Sequence, residues 1–98
     1  TAALTTTTAN QVIDSFTAAS YSTAKYLVQA KTSSAIHATE ILVMHDGTNV
    51  YLTEYGTMYS GSSLGTFSAR LTSGAIELIF TPANINTTVK AKRLTLTA

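Results

Sequence analysis

The chain has 98 residues, a formal net charge of +1 and charged side chains at only 11% of its positions. Soluble domains usually carry about 25%, so functions that depend on a strong field, such as non-specific nucleic-acid binding or attachment to an anionic membrane, are not expected. The absence of cysteine excludes disulfides and thiolate metal sites, and no apolar run approaches the roughly 18 residues of a membrane span. Hydroxyls take the place of charge: Ser and Thr make up about 30% of the chain, while apolar residues hold at 45%. That is too apolar for disorder. Thr, Val, Ile, Tyr and Phe suit a pleated, half-buried surface, so residues 1–98 are expected to form one all-β domain around one core.

Eight strands are predicted. Residues 3–8 open with a threonine run that is polar on both faces and therefore reads as an edge. Residues 10–17 alternate Val12, Asp14 and Phe16 against Gln11, Ile13 and Ser15, and residues 18–22 form a loop. In residues 23–31, Ala24, Tyr26, Val28 and Ala30 are expected to face inward, with Lys25, Leu27, Gln29 and Lys31 on the other side. A helix over residues 10–30 is the competing reading, since Val12 and Phe16 lie four apart, but it lacks a third apolar turn.

Residues 35–45 contain the longest apolar run, Ile41-Leu42-Val43-Met44. Such a run implies cover on both faces, by core on one side and by another chain or segment on the other. Asp46-Gly47-Thr48-Asn49 is the strongest turn signal, because Asp-Gly accommodates positive φ; it predicts a hairpin between His45 and Val50. The return strand, residues 50–59, sets Tyr51, Thr53, Tyr55 and Thr57 on one face. A second hairpin joins residues 64–71 to 75–81 around Thr72-Ser73-Gly74, with Ile76, Leu78 and Phe80 inward, Glu77 outward and Pro82 ending the strand. Residues 87–97 complete the set. Short strands at this spacing indicate an antiparallel β-sandwich of about eight strands, jelly-roll or immunoglobulin-like. Val28, Ile41, Val43, Leu52, Phe67, Ile76, Leu78, Phe80 and Val89 are its expected core.

Candidate chemistry is sparse. His37 and His45 share a parity but lie about 27 Å apart along one strand, too far to share a metal. His45 is expected to hydrogen-bond at the hairpin end, where Asp46 makes the turn. Glu40 and Glu54 would repel if directly opposed, so an offset, or pairing with Lys25 or Arg70, is expected. Hydroxyls are so abundant that a Ser or Thr beside a histidine carries no information about a nucleophile. Lys90, Lys92 and Arg93 read as a solvated strand face or an interface to a neighbouring chain. No catalytic, metal or cofactor site is expected.

Two surfaces remain as binding candidates. Tyr55 and Tyr59 carry the alternative of stacking on a sugar face. The second is a change of parity near the C-terminus: Val89 and Ala91 occupy odd positions, Leu94 and Leu96 even ones. Because side chains alternate strictly, either a bulge near Lys92-Arg93 re-aims the chain or the two leucines face a different surface. The expectation is that residues 94–98, with Thr5 and Thr7 of the threonine run, pack against another copy or a neighbouring protein.

Longer strings carry a resemblance. Ser22-Thr23-Ala24-Lys25-Tyr26-Leu27-Val28-Gln29 is followed by Glu40-Ile41-Leu42-Val43-Met44-His45-Asp46-Gly47-Thr48. Then come Tyr51-Leu52-Thr53-Glu54-Tyr55-Gly56, Leu64-Gly65-Thr66-Phe67, Leu78-Ile79-Phe80-Thr81-Pro82 and Asn86-Thr87-Thr88-Val89-Lys90. Over residues 11–94 this resembles a β-sandwich module in virion structural proteins of marine contractile-tailed phages, notably those infecting cyanobacteria. The resemblance implies a C-terminal or repeated unit of larger tail, fibre or baseplate-associated polypeptides. Its implied role is non-enzymatic and structural, located in the virion, with other copies and neighbouring virion proteins as partners. The alternative is an adhesin module that binds host-surface glycans.

Overall fold

Threonine-rich and β-branched segments form eight antiparallel strands in the computed structural model, which describes residues 1–97. They are β1 (Ala2–Leu4), β2 (Gln11–Thr17), β3 (Tyr21–Lys31), β4 (Ile36–His45), β5 (Val50–Tyr59), β6 (Gly65–Thr72), β7 (Ala75–Pro82) and β8 (Thr87–Thr97). One sheet has the order β1-β8-β3-β4-β5 and the other β2-β7-β6. The two pack face to face as a β-sandwich. The helical alternative for residues 10–30 is not adopted: β2, a turn and β3 occupy that stretch.

Alternation places Ala24, Tyr26, Val28 and Ala30 of β3 on the inner face, all at most 1% exposed. Ile41 and Val43 of β4, Ile76, Leu78 and Phe80 of β7, Phe67 of β6 and Val89 of β8 complete the expected core. Leu52 is only half-buried, because β5 is an edge strand with one neighbour. Phe16, Leu4 and Leu64 join the core from the sandwich margins.

Both hairpin turns form as their residues require. Gly47 has φ +94°, and the Asp46 carboxylate accepts from the backbone N–H groups of Asn49 (2.7 Å) and Thr48 (2.9 Å). Those two donors hold the Asp46 carboxyl below the usual carboxylate range. Ser73 and Gly74 both take positive φ, the geometry of a two-residue hairpin turn that follows the strand twist. Gly65 is required by space: a Cβ there would collide with the Phe80 ring and the Thr81 carbonyl.

Three expectations are corrected. The threonine run is not a strand beyond Leu4; the Gln11 amide donates to the carbonyls of Thr6 (3.1 Å) and Thr8 (3.0 Å), folding residues 5–10 into an exposed loop that holds Thr5 and Thr7. The face shared by Tyr51, Thr53 and Tyr55 does not continue to Thr57. Gly56, at φ +65°, sits in a bulge where the β4–β5 register shifts between Ala38 and Glu40, so one extra residue reverses the parity beyond it. Finally, Arg93 is not part of a solvated basic cluster, since it points inward from β8.

Candidate functional site

The β3–β8 register runs without a shift from Thr23↔Leu96 to Lys31↔Thr88, so β8 has no bulge near Lys92-Arg93. Leu94 and Leu96 therefore face a different surface from Val89 and Ala91: the outer face of the five-stranded sheet, where they are 67% and 60% exposed. Cross-strand rows define that face. Leu96, Thr23, Met44 and Tyr51 form one row; Leu94, Lys25, Leu42 and Thr53 the next; Lys92, Leu27, Glu40 and Tyr55 a third. Leu27, Leu42 and Met44 are also exposed, so among the described residues nothing covers the outer side of the Ile41-Leu42-Val43-Met44 run.

Beside those leucines lies an open edge. β1 pairs only with Thr87, Thr88 and Val89, and no described strand pairs with that side of residues 90–97. The opposite edge, β5, is also open but bulged at Gly56. Buried Thr39 of β4 fills the bulge, donating to the Tyr55 carbonyl (3.2 Å) and sharing a 2.8 Å hydrogen bond with the Thr57 hydroxyl.

The bulge separates the two candidate sugar-stacking side chains. Tyr55 lies on the outer face, its ring centroid 5.9 Å from the Lys25 ammonium. Tyr59 turns to the inner side and meets the His37 ring edge to face at 4.5 Å. The two rings thus look to opposite sides of the sheet. Thr5 and Thr7 lie in the loop after β1.

Two inward polar clusters close the sandwich margins, and neither follows from local sequence. On the β8–β2 side, Asp14 accepts from the hydroxyl of fully buried Tyr26 (2.8 Å) and from Arg93 (2.9 Å), which also donates to the Ser15 carbonyl (2.7 Å). Burial, followed by the Asp14 carboxylate, pushes the Tyr26 hydroxyl well above the usual phenol range. The bulge between Val12 and Asp14 brings Asp14 onto this margin. On the β5–β6 side, His37 is 1% exposed. Its Nδ1 accepts from the Leu64 N–H (3.2 Å), which leaves the proton on Nε2, an atom buried without a hydrogen-bond partner. Burial lowers the His37 pKa below its ordinary value of 6.5, with Glu54 opposing the shift.

Several other titratable groups are engaged in structure. Lys25 pairs with Glu40 at 3.8 Å, and Arg70 pairs across the β6–β7 hairpin with Glu77 at 2.7 Å rather than with Glu40 or Glu54. Glu54 lies opposite Ile41, one position from Glu40 and on the other face. His45 places Nε2 2.7 Å from the Tyr21 carbonyl and accepts from the Gly47 N–H at 3.0 Å, which ties the hairpin to β3. No group of three His, Cys, Asp or Glu side chains converges among the described residues. No family model, curated protein or solved structure matched the chain.

Proposed function

We propose that the protein is a non-enzymatic structural module of a contractile-tailed phage particle, which builds or decorates the virion by joining copies of itself and neighbouring virion proteins. The observation that carries this reading is the regular, unpaired edge of β8 with Leu94 and Leu96 exposed beside it. Such an edge presents a row of free N–H and C=O groups that a second strand satisfies. A copy adding its own β8 in antiparallel sense would continue the five-stranded sheet and extend its leucine-bearing face. The resemblance over residues 11–94 supplies the virion setting. The two candidate rings of the adhesin alternative, Tyr55 and Tyr59, face opposite sides of the sheet and so do not form one stacking platform.

Sedimentation velocity over a concentration series tests the reading. The 98-residue chain is expected to associate, and the double variant Leu94→Lys/Leu96→Lys to remain monomeric, with the melting temperature of the wild-type chain at concentrations too low for association. A wild-type chain that stays monomeric throughout would contradict it. So would a variant that associates normally.

A further inference from the structure

Charge is scarce in this chain, yet the fold concentrates it. All four lysines lie on the outer face of the five-stranded sheet: Lys25 and Lys31 on β3, and Lys90 and Lys92 on the adjoining β8. Strand alternation gives Lys31 the same face as Lys25, and the register places Lys90 beside Gln29 and Lys92 beside Leu27. One carboxylate shares this face, Glu40, and it is paired with Lys25. Lys31, Lys90 and Lys92 have no ion-pair partner among the described residues.

Lys90 and Lys92 line a shallow depression of about 420 Å³ together with Thr1, Leu27, Gln29 and Ala38. Short Ala38, paired with Gln29, leaves room at one side of it. An apolar floor with cationic walls takes a group that is apolar in its body and anionic at its rim. We propose that this end of the outer face docks an acidic polypeptide segment, with an apolar side chain entering the depression and flanking carboxylates meeting Lys90 and Lys92.

A second copy does not fit as the occupant of the face. Stacked face to face, two copies would set lysine against lysine. Nor does the chain carry a carboxylate cluster elsewhere to answer three lysines: Asp14 is held by Arg93, Glu77 by Arg70 and Asp46 by its own turn, which leaves Glu54 as a single carboxylate beside Thr57. A copy can add at the β8 edge and leave the face open. A polyanion such as DNA would desolvate the exposed side chains of Leu27 and Leu94 against phosphates without an apolar return. A polypeptide satisfies the leucines and the lysines together, with the apolar contact supplying affinity and the charges supplying orientation and encounter rate.

The proposal rests on the assembly reading for its setting, but its test does not depend on self-association. The immobilised 98-residue chain is panned against a random twelve-residue peptide library, and enriched peptides are measured by titration calorimetry. Peptides bearing Asp or Glu beside Leu, Ile or Phe are expected, with affinity falling at least about tenfold between roughly 0.05 and 0.5 M NaCl. Lys90→Glu/Lys92→Glu should weaken them at least tenfold. Leu27→Ser, on the central strand β3 and away from the open edge, should weaken them comparably while leaving sedimentation unchanged. The proposal is overturned if no sequence is enriched, if enriched peptides lack acidic residues, or if charge reversal in a variant of wild-type melting temperature leaves affinity intact. Tighter binding to equimolar phosphatidylglycerol/phosphatidylcholine vesicles or to duplex DNA than to any peptide also overturns it. Failure of wild-type self-association alone would count against the assembly reading and not against this one.

Discussion

The two edges of the five-stranded sheet offer similar lengths of backbone and treat them differently. β5 is interrupted at Gly56, where the extra residue twists the strand and the buried Thr39 hydroxyl claims the Tyr55 carbonyl. Its far end is occupied by Tyr59 against His37. β8 keeps one register with β3 over residues 88–96 and carries two exposed leucines. Bulges are among the devices that stop an edge from recruiting another strand. Of the two edges of this sheet, β5 carries a bulge and β8 carries none over residues 88–96, a contrast on which the proposed assembly through β8 rests.

If both edges rest on one common core, the largest effect comes from the centre of the opposing sheet. Leu78, 1% exposed on β7, should cost about 2–5 kcal/mol when replaced by Ala in urea unfolding. A cost under about 1 kcal/mol would mean that β7 does not anchor the sandwich. The next effect separates the margins. Asp14→Ala leaves the buried Tyr26 hydroxyl and Arg93 without their acceptor, and should cost about 1–3 kcal/mol. If the Asp14 contacts also fix the aim of β8, the variant should associate less well than its residual stability alone accounts for, as read by sedimentation.

Acid acts on the opposite margin. His37 is held neutral in the fold, so below pH 6.5, its ordinary value, the unfolded chain takes up a proton that the folded chain resists. Stability is therefore full above that pH and falls as the pH drops towards the lowered folded value, at up to about 1.4 kcal/mol per pH unit for one proton. Chemical denaturation between pH 7 and 5 should show this slope, and His37→Phe should reduce it. An unchanged slope in the variant would show that other groups govern the acid response. The smallest stability effect is expected at the β8 edge: Leu94→Lys/Leu96→Lys should shift unfolding of the dilute chain by no more than about 0.5 kcal/mol, because both side chains are exposed.

Much of this fold could be read from the sequence, because its signals are local. The alternation in residues 23–31 assigned the inner face of β3, and Asp46-Gly47 and Ser73-Gly74 gave both tight turns. The odd-to-even switch between Ala91 and Leu94 left two outcomes, a bulge or leucines on a different surface, and the second is what forms. What stayed hidden depends on pairing between distant segments or on an irregular backbone. Arg93 and Asp14 are 79 residues apart, and only the packing of β8 over β2 joins them. The lysine face exists because β3 and β8 become neighbours, which no local pattern announces. Gly56 within a strand-like run was the available sign of the β5 bulge, and reading through it placed Thr57 on the wrong face. His37 looked like any strand histidine; its burial follows from Tyr59 and Phe67 closing over it.

Amide hydrogen exchange of the 98-residue chain, measured at low and high protein concentration, tests the difference between the edges most directly. Addition of a second β8 predicts that alternate amides within residues 90–97, those pointing away from β3, exchange fast when dilute and become protected as concentration rises, while β5 amides do not change. Protection that appears along β5 instead, or an exchange pattern in β8 that is independent of concentration, would contradict the account.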